Sequence, residues 1–330
     1  NSAQDPCLYI FTQGTETAIL SLHVDDMPLG YTSEELYKKI LTALKANYEI
    51  VELGQPKRCL GIEFQFAADR ITLRQEMYAE KILRTFGMHD CKPVDTPMET
   101  KWPEVPRNNE TEALCTEPYK EAIGALLYLS ICTRPDLANA VAILGRYGHN
   151  PCDRHWVAIK RVLRFLRGTA NRGLVFSKSE RLPSMGSSLV GYSDSSFADD
   201  CENRKSTSGY VFMLNDNIIS WKSKLQSLVT LSTTEAEYVA MNEACREAIW
   251  LQGLIKSAGV KLESPTRLLG DNEGSLHLCR NIVFSGRNKH IEVKFNFVKQ
   301  KIADGQVIVE WIPTDEMIAD IMTKPLPRDK

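Results

Sequence analysis

The sequence predicts a multidomain chain, α+β over its first third and α/β at its C-terminal end, with a helical stretch between them. Three observations carry this expectation. A length of 330 residues exceeds what one ordinary domain uses and suits two or three, each with its own core. Two polar, Pro- or Ser-rich breaks interrupt the periodic segments, one over 91–117 with Pro93, Pro97, Pro103 and Pro106, the other over 177–188 with Pro183 and Gly186. Beyond the second break, three strand patterns, a long helix and then alternating strands and helices follow, the order of a mixed sheet flanked by helices. The expected domains are therefore 1–103, 104–184 and 185–330.

The first segment alternates apolar and polar residues over 8–11 and 18–24 and breaks at Asp25-Asp26, which predicts a hairpin with two acids at its tip. A helix over 33–48 follows, with Ser33 as N-cap. Residues 60–64 and 70–73 read as a strand pair, and 76–86 as a helix closing at Gly87.

The middle segment has helical periodicity over 123–130, 137–147 and 156–166, interrupted at Pro135 and Pro151. In the last of these, Val157, Ile159, Val162, Leu163 and Leu166 form the expected buried side, and Lys160, Arg161, Arg164 and Arg167 line another. Residues 145–182 hold nine Lys or Arg against two acids, although the whole chain carries a net charge of only -2. That local excess makes the four basic residues candidates for phosphate contact; a solvated helix face is the simpler alternative.

The last segment predicts strands at 188–192, 209–214, 218–221 and 228–231, with Asn215, Asp216 and Asn217 supplying a hairpin turn. A helix from 233 to about 258 comes next, then a strand at 267–270, a short helix, a helix over 291–303, a strand at 307–312 and a final helix.

Composition excludes several classes. Hydrophobic residues at 43% and charged residues at 25% are average for folded proteins, so neither wholesale disorder nor a fibrous repeat is expected. The longest apolar run, 122–132, falls short of the roughly 18 residues of a membrane span, and no leader is evident, so no membrane partner is expected. Nine cysteines stand singly, without CxxC pairs or histidines at ligand spacing, which predicts reduced thiols in a cytoplasmic or nuclear setting and no structural zinc.

Four acids of the last segment are candidates for holding two divalent ions: Asp194 at the end of the first strand, Glu237 early in the long helix, Asp271 after the next strand, and Asp320 in the final helix. Hydrolysing a phosphodiester with water requires that attacking and leaving oxygens both be stabilised, which two ions about 4 Å apart accomplish. Magnesium prefers the carboxylate oxygens such residues supply, and manganese is the alternative ion. Singly, each acid also fits a turn, a cap or a solvated position.

The long helix chooses between its two early glutamates. Ser232 and Glu235 form an S/T-x-x-E capping box, and Glu237 lies about 200° around the helix from Glu235. Three- and four-residue steps from Glu237 reach Ala240, Met241, Ala244, Ala248 and Leu251, whereas those from Glu235 reach Val239, Asn242, Glu243 and Arg246. Glu237 is thus expected to face inward.

Several strings occur together in order: Gly191-Tyr192-Ser193-Asp194, Arg204-Lys205-Ser206-Thr207-Ser208-Gly209-Tyr210, Ile219-Ser220-Trp221-Lys222, Leu231-Ser232-Thr233-Thr234-Glu235-Ala236-Glu237-Tyr238, Gly270-Asp271-Asn272, Asn288-Lys289-His290-Ile291 and Ile318-Ala319-Asp320-Ile321-Met322-Thr323-Lys324-Pro325-Leu326. Upstream stand His23-Val24-Asp25-Asp26-Met27, Leu60-Gly61-Ile62-Glu63, Thr96-Pro97-Met98 and Thr133-Arg134-Pro135-Asp136. The chain resembles, over essentially its whole length, the C-terminal part of the Pol polyprotein of copia-type (Pseudoviridae) LTR retrotransposons.

That resemblance implies a truncated reverse transcriptase palm and thumb, a helical connector, and a ribonuclease H domain. Its implied activity is two-magnesium hydrolysis of the RNA strand of RNA/DNA hybrids, with Asp194, Glu237, Asp271 and Asp320 as metal-binding carboxylates. Its implied partners are the hybrid and the rest of the Pol polyprotein, in a cytoplasmic virus-like particle or the nucleus; no oligomeric state follows.

Asp25 and Asp26 match the tandem aspartates of the polymerase metal site. The family's other metal-binding aspartate and its fingers are not in this sequence, so no polymerisation by this chain alone is expected; its start at Asn1 without Met points to a fragment. Two departures from the family pattern stand out, His23 in place of a tyrosine and Ser196-Phe197 in place of an acid and a tryptophan. His290 is read as a capping or packing residue. The alternatives are a catalytically decayed or co-opted nucleic-acid-binding module, which would keep the fold and lose hydrolysis, and a structural subunit supporting a separate polymerase.

Overall fold

The computed structural model describes residues 2–100, 115–178, 186–263, 265–280 and 289–329, without the side chains of 289–295. Both expected domain boundaries, at 103/104 and 184/185, lie outside the described residues. The chain combines α+β and α/β parts around three sheets.

The N-terminal unit is a meander of β1 (Leu8–Gln13), β2 (Glu16–Ser21) and β3 (Leu29–Tyr31), backed by α1 (Glu34–Lys45). Ser33 caps α1 by accepting from the Leu36 N–H, as expected. Ala18, Leu36 and Ile40 form a small core here. Asp25 and Asp26 occupy the second turn of the meander, between β2 and β3, where His23 and Asp26 exchange backbone hydrogen bonds.

A second sheet joins β4 (Arg58–Cys59), β5 (Ile62–Phe66), β6 (Arg70–Arg74) and β7 (Gly173–Ser177) in that order, all antiparallel. β7 is not among the strands expected from the sequence. Its ladder partners, Arg70 to Arg74 of β6, stand far back in the sequence, so no local pattern announces the pairing. A Cβ on Gly173 would fall 2.1 Å from the Leu73 carbonyl, so only glycine lets the strands approach there.

The helices α2 (Glu76–Thr85), α3 (Tyr119–Cys132), α4 (Ala138–Gly145) and α5 (Asp153–Gly168) share one core. Ala79, Ile82 and Leu83 from before the Pro-rich strap and Met98 from within it pack with Leu126, Leu137, Ile159 and Leu166 from after it. The expected division at 103/104 therefore does not separate two cores: the strap's composition marks a break in periodicity, and the apolar faces on either side meet. Arg134, 2% exposed, ties the helices together. It donates to the Thr169 carbonyl (2.8 Å) and hydroxyl (2.7 Å) and to both carboxylate oxygens of Asp136 (2.9 and 2.8 Å). Val157, expected inside, is 60% exposed, because α5 meets its neighbours through Ile159, Val162, Leu163 and Leu166.

The third sheet has five strands: β8 (Leu189–Ser196), β9 (Thr207–Leu214), β10 (Asn217–Leu225), β11 (Thr266–Gly270) and β12 (Val307–Trp311), in the order β10-β9-β8-β11-β12. The first three are antiparallel, while β11 runs parallel to both β8 and β12. This is the mixed sheet flanked by helices expected above. Asn215 and Asp216 both take positive φ (47° and 64°), as a tight hairpin requires. The strand expected over 228–231 does not form. Leu231 is 78% exposed and its N–H goes to Glu235, so the segment serves as the lead-in to the next helix.

On one face of the sheet lies α6 (Thr233–Ser257), with α7 (Glu273–Arg280) and α8 (Lys289–Ala303) around it. The opposite face carries Met317, Ala319 and Met322 from the C-terminal segment, which includes α9 (Asp320–Thr323). Several hydrogen bonds seat the helical middle segment on this domain. Trp221 Nε1 donates to Ser130 O (2.7 Å), Asn139 Nδ2 to Met322 O (3.1 Å), and Arg146 Nη2 to Thr207 Oγ1 (2.7 Å). Among the described residues, no helix is long and apolar enough to cross a membrane, and all nine cysteines are free thiols.

Candidate metal centre

The centre forms where the parallel strands β8 and β11 end side by side. Tyr192 lies level with Leu269 in their ladder, so two residues further on Asp194 comes level with Asp271, just past the end of β11. Period-two alternation puts Asp194 on the same face as Tyr192, which packs against the Met317–Met322 cluster.

Glu237 arrives from α6. Ser232 accepts from the Glu235 N–H, as the capping box predicts, while Glu235 accepts from the Leu231 N–H, one residue before the expected Ser232 donor; either way Glu235 is spent at the start of the helix. Glu237 is 8% exposed and accepts from the Ser195 N–H at 3.1 Å, which fixes the helix against the end of β8. The buried surface of α6 is wider than the expected stripe: Val239 and Asn242 are also inside, because the helix is flanked by others as well as by the sheet.

Carboxylate oxygens of Asp194, Glu237 and Asp271 all lie within 4.8 Å of one another. Asp271 is anchored twice from the β12 side: its Oδ2 accepts from Thr314 Oγ1 (2.8 Å) and its carbonyl from Trp311 Nε1 (3.0 Å). Asp194 accepts a short hydrogen bond from the Thr323 hydroxyl. Asp320, 2% exposed, stands outside the close trio and connects to it through Lys324, whose Nζ is 2.7 Å from Asp320 Oδ1 and 3.9 Å from Asp194 Oδ2.

The electrostatics follow from burial and like charge. Burial, followed by the negative fields of Asp194 and Asp271, pushes Glu237 well above the usual carboxylate range. Burial also raises Asp194, against the lowering effects of Lys324 and Thr323. Burial alone would lower Lys324, yet Asp194, Asp320 and Asp271 together hold it above its usual value. Three convergent carboxylates, two of them with their charge disfavoured by burial, make a site that a hard divalent cation would stabilise, and the all-oxygen donor set suits magnesium or manganese.

The other sequence candidates fare differently. Asp25 and Asp26 are exposed at a turn in which Val24, 81% exposed, holds φ 52°. Among the described residues, no third ligand-type side chain groups with them. On α5, Arg161 donates to Glu99 (3.1 Å) and Thr96 (2.9 Å), Arg164 Nε to Lys92 O (2.7 Å), and Arg167 Nε to His89 O (2.6 Å). These three bind the strap at 89–99, a use the helix-face pattern did not reveal; Lys160 is half-buried beside them. Phe197, one of the departures from the family pattern, is 41% exposed just beyond β8. The side chain of His290 lies outside the described residues.

Sequence reasoning missed Thr314, Trp311, Thr323 and Lys324 as partners of the carboxylates. Thr323 and Lys324 belong to a string that carried the family resemblance, and the i,i+4 spacing of Asp320 and Lys324 was a readable signal.

Residues 1–100 match the family described as Reverse transcriptase (RNA-dependent DNA polymerase). The chain is 36% identical to the retrovirus-related Pol polyprotein from transposon TNT 1-94 of Nicotiana tabacum, over 99% of this chain and 25% of that protein. It is likewise 36% identical to the Pol polyprotein from transposon RE2 of Arabidopsis thaliana, over 99% of this chain and 22% of that one. The chain thus spans about a quarter of the length of the curated relatives it matches. Among solved structures, RNase H1 from the halophilic archaeon Halobacterium salinarum NRC-1 aligns with a TM-score of 0.30 and 15% identity, covering 41% of this chain and 93% of that chain.

Proposed function

We propose, from the premise that this chain belongs to the copia-type retrotransposon Pol polyprotein family, that its last domain hydrolyses the RNA strand of RNA/DNA hybrids with divalent ions held by Asp194, Glu237, Asp271 and Asp320. The observation that carries this reading is the convergence of three buried or half-buried carboxylates from β8, α6 and the end of β11 within 4.8 Å.

When bound, two magnesium ions would neutralise the scissile phosphate and favour ionisation of the attacking water. The chain's own residues prepare that site. The Ser195 N–H orients Glu237, Thr314 orients Asp271, and the Thr323 hydroxyl orients Asp194, so the acceptor oxygens are directed before any ligand arrives. Trp311 ties the Asp271 backbone to β12, which keeps the ends of the two parallel strands in register.

The hybrid is the proposed substrate, recognised by shape and 2′-hydroxyls with little reading of sequence. Lys160 and the terminal nitrogens of Arg164 and Arg167 on α5 are proposed to contact its phosphates, with Arg161 serving the strap. Asp25 and Asp26 are assigned to a polymerase metal site that needs a further carboxylate from elsewhere in the polyprotein, so these residues alone are not expected to polymerise. The rest of the polyprotein is the proposed protein partner, and a virus-like particle in the cytoplasm the proposed setting.

The test is incubation of the purified chain with a hybrid labelled on its RNA strand, in Mg²⁺ and separately in Mn²⁺, beside Glu237→Gln. RNA cleavage by the parent and a loss of about a hundredfold or more in the variant is the expected result. Tight hybrid binding with no cleavage in either metal would overturn the reading in favour of a binding module that has lost its chemistry.

A further inference from the structure

Lys324 is the residue whose position the proposed hydrolysis does not explain. It directly follows α9, and its backbone turns extended there (φ -144°, ψ 149°), ahead of Pro325. Its N–H returns to the Asp320 carbonyl at 3.1 Å, closing the short helix so that residues 320 and 324 lie one above the other. The side chain then enters the carboxylate cluster from the rim. Its Nζ sits 2.7 Å from Asp320 and 3.9 Å from Asp194, whose side chains are 3% and 4% exposed, while the lysine side chain itself is 39% exposed.

We propose that the Lys324 ammonium is a resident cation of the metal centre, and that a divalent ion using Asp320 must displace it. This rests on the metal-centre reading above. Three features of the site support it. The ammonium, 2.7 Å from Asp320 Oδ1, occupies the side of that oxygen an ion would use, and its charge repels the ion with little screening among buried groups. A lysine stem is long and flexible, and at 39% exposure it has a path to water, so the ammonium can leave without unfolding anything. Finally, the four acids are not equivalent: Asp194, Glu237 and Asp271 converge by themselves, whereas Asp320 is reached through the ammonium.

The consequence is an ordered filling of the centre. The first ion is taken by the Asp194, Glu237 and Asp271 trio. The second, which draws on Asp320, competes with Lys324 and binds more weakly. Lys324 is a positioning residue in this scheme: it keeps Asp320 and Asp194 compensated until the second ion arrives, and it sets the ion concentration at which the full site assembles.

Calorimetric titration of the whole chain with Mn²⁺ and with Mg²⁺, without nucleic acid, tests this directly. The parent should show a tighter and a weaker binding step. Lys324→Met, which keeps the stem and removes the charge, should tighten the weaker step by about tenfold or more. Lys324→Arg should leave it as in the parent. In the unsubstituted protein, the Lys324 side-chain ¹⁵N resonance should move during the weaker step and not the tighter one, a readout that needs no variant to fold. An unchanged or weaker second step in Lys324→Met, or a lysine resonance that ignores the second step, overturns the role of Lys324 while leaving the metal centre standing. If the parent binds no ion at all, both this proposal and the nuclease reading fall.

Discussion

Gly209 pairs directly across from Asp194 in the β8–β9 ladder, and a Cβ placed on it would fall 2.6 Å from Met322 Cβ and 2.7 Å from Thr323 Cγ2. The bare backbone at this position is the seat of the C-terminal segment. Because that segment rests directly on β9, Thr323 reaches the Asp194 carboxylate and Lys324 reaches both Asp194 and Asp320.

Gly209→Ala should therefore act on the site through packing. The added methyl meets Met322, Thr323 and the Ala319 carbonyl, so the segment must lift, at a cost of about 1–3 kcal/mol. Thermal unfolding should show the loss of stability, and the ion concentration for half-maximal binding should rise as Asp194 loses its Thr323 bond. An unchanged metal titration in a folded Gly209→Ala protein would sink this account.

Glu237 and Asp194 predict the pH dependence of the ion-free protein. Both are raised in the folded chain, so folding takes up protons on these groups. Their stabilising contribution is full below the usual carboxylate range and is lost as pH rises through the raised folded values. The ion-free parent should thus become less stable from acid toward neutral pH at this site. Glu237→Gln should melt higher than the parent at neutral pH, with the difference vanishing as the pH falls toward the ordinary glutamate value of about 4.3. Metal binding should show the opposite trend and strengthen with rising pH, since only the ionised carboxylates bind. Melting curves of parent and variant in chelator across pH check the first part, and a Glu237→Gln protein less stable than the parent at neutral pH would refute it.

Arg134 is the largest stability determinant expected in the helical segment. Its guanidinium is almost wholly buried between Asp136 and Thr169. Arg134→Met leaves the Thr169 carbonyl and the Asp136 carboxylate without their donor, which should cost roughly 3–5 kcal/mol. Denaturant unfolding would measure it; a loss under about 0.5 kcal/mol, the size of an ordinary surface substitution, would contradict the assignment.

Arg164 and Arg167 separate packing from phosphate binding. Replacing both by Ala removes their bonds to Lys92 O and His89 O, so the melting temperature should fall. If they also meet phosphate, the dependence of hybrid affinity on salt should become shallower, by about one unit of slope for each phosphate no longer neutralised. The shallower slope is the expected result; lower stability with an unchanged slope would confine both side chains to the strap.

Much of this was legible from sequence. Ser33 and Ser232 announced the starts of α1 and α6, and the angular separation of Glu235 and Glu237 decided which one caps and which enters the site. Asn215 and Asp216 marked the β9–β10 turn. All of these depend on residues a few positions apart, whose periodicity and hydrogen-bonding options are fixed by backbone geometry alone.

Surfaces that meet across long stretches of chain leave no such local mark. Residues 228–231 carry a strand-like pattern, yet they lead into α6, with the Leu231 N–H taken by Glu235. Gly173–Ser177 became a strand because β6 offered a free edge. Arg161, Arg164 and Arg167 look like a solvated or phosphate-binding face until the strap at 89–99 folds over them. The acids proposed to bind divalent ions were readable as candidates from their strings and spacing. Asp194, Glu237 and Asp271 converge through the β8–β11 register and the seating of α6, and Lys324 comes in through the seating of α9 on Gly209; a close approach between distant segments depends on the combined shape of both and leaves no periodic trace in either.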